Sequence, residues 1–266
     1  SIICGWDIIK NKLKKYNTEF IPVDSEHFSV WYGLIKDKKE NIEKIYLTAS
    51  GGSLKNIPIN KLNKVSIKEV LKHPNWKMGK KITIDSATMM NKLFEVIEAK
   101  NIFNISYNKI NVLIHPKSYV HAILKFECGM IKIIAHDTTM EIPIFNSLRN
   151  LIDNYKINSK ELNIKTLNNL SLKIINTKKY PLINLLNYLP INHSLFETVI
   201  VSANDTLVNL FLNKKIKFKD IQKYLFEIVK MKEFIKYKKI KPKKIEEILN
   251  LNNYVRLKIT KKVYTS

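Results

Sequence analysis

Cysteine, glycine and arginine are all scarce in this chain, and each shortage closes off a class of protein. The two cysteines, Cys4 and Cys128, lie far apart and outside any CxxC spacing. That argues against a disulfide framework or a zinc ribbon and for a reducing compartment. The six glycines form no GxGxxG-like cluster, so the glycine-rich turn of a dinucleotide-binding βαβ unit is not written here. Only Arg149 and Arg256 are arginines, although the formal net charge is +23. Readers of bases and phosphates lean on the guanidinium fork. The lysines are instead spread along the chain, with clusters at 10–15, 214–218 and 236–244. Isoleucine and asparagine are also abundant, which points to AT-rich coding, so a solvated basic surface is the preferred reading over nucleic-acid binding. No uncharged apolar run reaches the roughly 18 residues of a membrane span. Ser1-Ile2-Ile3-Cys4 carries neither a basic n-region nor an initiator Met, so the expectation is a processed chain, or part of a longer one, without a secretory leader.

What is present fits a packed globular protein of one large or two smaller domains: 266 residues, 45% of them hydrophobic. Ser1 to Tyr16 reads as a short basic helix. Phe20 to Val23 reads as a strand, Phe28 to Glu40 as a helix and Ile45 to Thr48 as a second strand. The latter runs into a small-residue turn, Ala49-Ser50-Gly51-Gly52-Ser53. Ser66 caps a short helix to Lys72, and "HPNWKMG", His73 to Gly79, is a loop. Asp85 or Ser86 caps a long helix through about Ile102. Ile110 to Ile114, His121 to Phe126 and Met130 to Ala135 are apolar β-type runs, hence a sheet. From about Asn154 to Lys179 the apolar period weakens into a linker, and helical periodicity resumes beyond it. The fold class is therefore α+β. A first domain, residues 1–153, holds a mostly β sheet flanked by helices. A linker, 154–179, leads to a small all-α C-terminal domain, 180–266.

Four short stretches carry chemistry. In "PVDSEH", Asp24 and Glu26 would project to one side of a strand end, where two carboxylates repel unless a cation neutralises them. A solvated turn is the plainer reading of an isolated D-x-E. In "DSATMMNKLFE", Asn91 and Glu95 stand one above the other on a helix, as do Lys92 and Glu95. Ser86 near the helix start would offer a hydroxyl beside free backbone N–H groups, which suits a phosphate. The alternative is an ordinary amphipathic helix with Met89 and Met90 in the core. In "TASGGS" two glycines let the backbone approach a ligand, or simply make a tight turn. In "HPNWKMG" a Trp between Pro74 and Gly79 covers either a ligand or the protein's own surface.

Taken in order, "PVDSEH", "TASGG", "HPNWKMG" and "DSATMMNKLFE" closely resemble the 1-deoxy-D-xylulose 5-phosphate reductoisomerases of the non-mevalonate isoprenoid pathway. "VLIHPKSYVHAILKFECGMI", "MEIPI" and "SANDTLVNLFLNKKIKFKDI" resemble the family's later segments. The likeness is weakest from about 147 to 190. It implies a Mg²⁺ or Mn²⁺ ion held by Asp24, Glu26 and Glu95, with Ser25 on the substrate. It implies a sugar-phosphate end held by Ser50, Ser86, Asn91 and Lys92 with help from His73. The flap would close through Trp76 and Met78, and Gly79 and Met140 would lie near NADPH. It also implies a homodimer, a small-molecule sugar phosphate as substrate, and a cytoplasmic setting in a bacterium or a plastid in a eukaryote. No nucleic acid or membrane is expected as partner.

The chain also departs from the family. Its N-K-E-S motif is represented only by Ser1. The expectation is that the cofactor domain is not part of this chain: either an N-terminal half is encoded separately, or the gene product is truncated. Leu93 and Ala49 replace glycines, and the family's P-x-R segment has no clear counterpart near Asn150. The competing functions are a non-catalytic remnant of the enzyme and a basic nucleic-acid-binding module.

Overall fold

The computed structural model describes residues 1–148, 156–158 and 160–265. Helix α1 spans Ile2–Lys15, with non-helical backbone at Gly5 and Lys12, Lys14 and Lys15 in its last turn, where cations suit the helix dipole. Helix α2 covers Ser25–Gly33 and strand β1 covers Ile42–Ala49. A capping box of Ser66 and Glu69 starts α3, Ile67–Val70. Helices α4, Lys80–Thr88, and α5, Met90–Phe103, follow. Strands β2 (Ile110–Ile114), β3 (Val120–Phe126) and β4 (Ile131–Ala135) come next, then α6, Glu141–Ser147. The short α7, Ile164–Leu167, and the edge strand β5, Lys173–Ile174, lie in the polar stretch. The C-terminal helices are α8 (Phe196–Leu212), α9 (Phe218–Ile228), α10 (Lys232–Ile235) and α11 (Ile245–Thr265). Among the described residues no helix is long and apolar enough to cross a membrane.

The five strands form one mixed sheet in the order β4-β3-β1-β2-β5. β1 is central, parallel to β2 with Leu47 opposite Val112, and antiparallel to β3 with Leu47 opposite Ala122. Ile42, Ile45 and Leu47 are fully buried. Helix α5 is buried nearly all round, as expected of a helix enclosed on every side. It lies against β1, β2 and α1, while α8 joins α1, α4, α9 and α11. One apolar core runs from the sheet through α5 into α8 and α11.

Three elements differ from the sequence expectation. Phe20 to Val23 forms no strand. Pro22 removes a ladder donor, and Phe20 turns its ring onto Trp6, 5.2 Å between centroids. The helix expected from Phe28 to Glu40 stops at Gly33. There the backbone comes so close to β3 that an added Cβ would lie 2.6 Å from Leu124 Cδ1. The long helix expected after Asp85 is two helices, broken at Met89 with φ 70° and ψ 8°. Asp85 and Ser86 therefore cap nothing; both sit in the later part of α4.

Candidate functional site

The carboxylates of the D-S-E stretch converge because of a helix cap rather than a strand end. Asp24 is the N-cap of α2, and its Oδ1 accepts from the backbone N–H groups of Glu26 and His27 at 3.2 and 3.4 Å. Satisfying these free donors fixes the start of α2. His27 then fastens the turn to α5. Its Nε2–H donates to the Glu95 carbonyl at 2.9 Å, and its Nδ1 lies 3.2 Å from Asp24 Oδ1. One oxygen each of Asp24, Glu26 and Glu95 falls within 4.8 Å of the others. The expected convergence is thus present, with His27 as the positioning residue that motif reading passed over.

Lys92 closes this group. Its Nζ lies 2.6 Å from Glu26 Oε1 and also contacts Glu95 Oε2. The other oxygens are engaged as well: Ser25 Oγ donates to Glu26 Oε2 and Asn91 Nδ2 to Glu95 Oε1, each at 2.5 Å. Burial would push the Glu26 carboxyl up, but the Lys92 ammonium and the hydrogen bonds of Lys92 and Ser25 outweigh it and hold it at about 2. Burial and the charge of Glu26 push Glu95 well up, only partly offset by Lys92. Burial disfavours the Lys92 ammonium, yet the two glutamates raise its pKa. Three carboxylates face one ammonium, so negative charge is left over. An all-oxygen, multiply charged donor set of this kind suits a hard divalent cation such as Mg²⁺ or Mn²⁺.

A pocket of about 340 Å³ opens beside these groups at the end of β1. Ser50, Ser86, Asn91 and Lys92 line one part of it, and His73 stands at Ser50. The ring of His73 accepts at Nδ1 from the N–H groups of Asn75 and Trp76, at 3.2 and 3.0 Å. Its Nε2–H therefore faces Ser50 Oγ at 3.1 Å, and Gly52 N–H donates to the same oxygen at 3.1 Å. The Ser50 hydroxyl proton is left free for a ligand. Gly51 and Gly52 both have positive φ, +88° and +68°. At Gly52 a Cβ would meet Ser86 O at 2.7 Å, so the glycine lets the Ser50 turn lie on the end of α4. Ser86 reaches the pocket from that end, not from a helix N-terminus. The break at Met89 turns the chain so that Asn91 and Lys92, in the first turn of α5, face the same space. Asp85 anchors α4 from behind, 2.7 Å from Lys81 Nζ and accepting from Asn204 Nδ2 at 2.8 Å.

Trp76 and Met78 line the pocket from the 73–79 loop, and Met140 from the start of α6. Asn75 ties that loop to the turn before β3, donating to Pro116 O at 2.9 Å and Ser118 Oγ at 2.7 Å. Gly79 is the one expected site residue that does not line this pocket; it borders an open groove beside the same loop and starts α4. Leu93 is fully buried in the core and does not reach the pocket, whereas Ala49 does. Sequence reasoning missed Thr48, Lys77, Ser118 and His121, all of which line it. His121 lies on β3 with its ring stacked on His136 at 3.8 Å; burial pushes its pKa down to about 4. A histidine inside an otherwise apolar strand run was the available signal.

Comparison with known proteins agrees with this geometry. Two family models match: the 1-deoxy-D-xylulose 5-phosphate reductoisomerase C-terminal domain over residues 20–103, and the DXP reductoisomerase C-terminal domain over residues 137–258. The chain is 60% identical over 260 residues to the 1-deoxy-D-xylulose 5-phosphate reductoisomerase of Pelagibacter ubique, covering 98% of this chain and 67% of that protein. The Persephonella marina enzyme of the same name is 36% identical, with 99% and 67% covered. A crystal structure of DOX-P reductoisomerase in complex with NADPH, fosmidomycin and magnesium superposes with a TM-score of 0.88 at 30% identity, over 99% of this chain and 68% of that one. The Zymomonas mobilis enzyme in complex with NADPH gives 0.85 at 25% identity, over 99% and 66%. The chain spans about two thirds of the length of these relatives. With the site's residues converging as its motifs require, the chain belongs to the 1-deoxy-D-xylulose 5-phosphate reductoisomerase family.

Proposed function

We propose that this chain provides the metal- and substrate-binding part of an NADPH-dependent reductoisomerase, converting 1-deoxy-D-xylulose 5-phosphate to 2-C-methyl-D-erythritol 4-phosphate. The observation that carries this reading is the convergence of Asp24, Glu26 and Glu95 within 4.8 Å, beside a pocket lined by Ser50, Ser86, Asn91 and Lys92. Asp24, Glu26 and Glu95 would hold Mg²⁺ or Mn²⁺, which as a Lewis acid polarises oxygens bound to it. Ser25 orients Glu26 and offers its oxygen to the substrate. Ser50, with its free hydroxyl proton, Ser86, Asn91 and Lys92 hold the phosphate end; His73 acts through Ser50. Trp76, Met78 and Met140 form the apolar cover on the nicotinamide side and exclude water during rearrangement and hydride transfer. Gly79, at the junction of that cover with α4, would lie near the nicotinamide.

The rest of the NADPH site belongs to a cofactor domain outside these 266 residues, joined to them or supplied in trans. Residues 1–153, 154–179 and 180–266 are kept as its working division into catalytic domain, linker and helical domain. A homodimer is proposed across the outer edge of β4, which pairs with no further strand among the described residues and where Ile131 and Ile133 are more than half exposed, an edge that calls for cover. The setting is a bacterial cytoplasm. Calorimetric titration with fosmidomycin tests the reading: binding should require Mg²⁺ and vanish in Glu95→Gln. Equal binding with and without the ion would contradict it.

A further inference from the structure

The Lys92 ammonium bridges two of the three converging carboxylates. It is buried, 2.6 Å from Glu26 Oε1 and in contact with Glu95 Oε2. The remaining oxygens of both glutamates accept from Ser25 and Asn91. Every oxygen of the pair is thus already bonded. A divalent cation binding the same oxygens at roughly 2.0–2.6 Å brings a second positive centre against the donors already there. Of the three donors the ammonium is the one that a dication repels, and strongly so in a buried setting. It is also the one on a flexible four-carbon stem.

We infer that Lys92 is an ionic switch: a divalent cation entering among Asp24, Glu26 and Glu95 displaces its ammonium, which then joins Asn91 and Ser50 in holding a phosphate or phosphonate group. Lys92 and Asn91 are both in the first turn of α5 and line the same pocket as Ser50 and Ser86. The Ser50 hydroxyl already has its oxygen engaged by Gly52 and its proton free. Charge favours the exchange. The three carboxylates with a dication leave one negative charge for the released ammonium to balance, and a bound phosphate then keeps that ammonium in the pocket. The cation and the anion therefore bind cooperatively, each strengthening the other by the same factor. This inference rests on the metal reading above and adds a coupling to it, through the exchange of one ammonium between two sites.

The test measures methylphosphonate affinity of the 266-residue chain by ³¹P NMR with and without saturating Mg²⁺, and Mn²⁺ affinity by electron paramagnetic resonance. In the wild type Mg²⁺ should tighten phosphonate binding about 5- to 50-fold, within the usual range of site-to-site coupling. In Lys92→Gln the tightening of phosphonate by Mg²⁺ should fall below about threefold. Mn²⁺ should bind the variant as tightly as wild type or more so, since no ammonium has to be expelled. Weakening of phosphonate by the same factor with and without Mg²⁺ would make Lys92 a fixed anion ligand and overturn the switch. Weaker Mn²⁺ binding in the variant would overturn it too. If wild type binds Mn²⁺ but shows no coupling, the switch alone fails; if it binds no Mn²⁺, the metal reading fails with it. Should Lys92→Gln not fold, wild-type spectra of ¹⁵N-labelled lysine ammonium groups decide. Lys92 is the one buried lysine among the described residues, so one exchange-protected signal should disappear on adding Mg²⁺, and an unchanged spectrum overturns the proposal.

Discussion

Replacing Gly52 by alanine should damage both the stability of the chain and its anion-binding end. Two costs add. Gly52 has φ +68°, and an L-residue in the left-handed region costs roughly 1–2 kcal/mol. The added Cβ would lie 2.7 Å from Ser86 O, 2.8 Å from Ala87 Cα and 3.0 Å from Ala87 N. These are backbone atoms of a packed helix and cannot swing aside, so the overpacking should cost about 1–3 kcal/mol more. The sum, about 2–5 kcal/mol, lowers the melting temperature of a domain of this size by roughly 5–15 °C. Gly129→Ala separates the two costs: its φ is +86° with nothing within 4 Å of the new Cβ, so it carries the conformational cost alone. Differential scanning calorimetry of the two variants beside wild type makes the comparison, with phosphonate titration as the functional readout. Only Gly52→Ala should weaken phosphonate binding, because it drives the Ser50 turn away from Ser86. If Gly52→Ala is no less stable than Gly129→Ala, or binds phosphonate as wild type does, the account of this turn is refuted.

Asp85→Ala should destabilise the chain by about 2–4 kcal/mol in urea titration, since it removes a charged hydrogen bond and leaves the buried Asn204 amide without its acceptor; a loss below about 1 kcal/mol would contradict its anchoring role. His121 should make stability depend on pH. Its pKa is lowered by burial from 6.5 to about 4, so the unfolded chain takes up the proton first. Stability is then fully present above pH 6.5 and falls by about 2–3 kcal/mol as the pH drops to about 4. Urea midpoints across that range should show a flatter profile in His121→Gln, and identical profiles would count against it. The 266-residue chain alone, given Mn²⁺ and 1-deoxy-D-xylulose 5-phosphate, should oxidise no NADPH, because its six glycines form no GxGxxG-like cluster for the pyrophosphate; chain-dependent oxidation that stops on Glu95→Gln would prove this wrong.

The site was far more legible in the sequence than the path of the backbone through it. Asp24, Glu26, Asn91, Lys92 and Glu95, which the structure brings together, stand out in the sequence because their chemistry is tied to residue type and their order to a family pattern. Their geometry was not. Phe20 to Val23 has the composition of a strand, but Pro22 and the capping demand of Asp24 settle its conformation. The break at Met89 was invisible, because a methionine at φ 70° carries no signal of its own; a left-handed non-glycine residue is held there by surrounding packing. Ser86 lines the pocket from a helix end, not from the helix start that its sequence context suggests. His27 was quoted within its motif, yet its role depends on a carbonyl 68 residues away, which no local pattern reports. His121 was hidden among apolar neighbours in a strand, where a satisfied core histidine and a pocket histidine look alike.

The central claim is that Asp24, Glu26 and Glu95 together hold one divalent cation. Titrating the chain with Mn²⁺ and following the free-ion paramagnetic resonance signal tests it most directly. The account predicts a single site per chain, lost in Glu95→Gln and in Asp24→Asn, and kept in Glu43→Gln, whose carboxylate pairs with Lys125 well outside the pocket. Absence of a site in the wild type, or a site that survives Glu95→Gln unchanged, would contradict it.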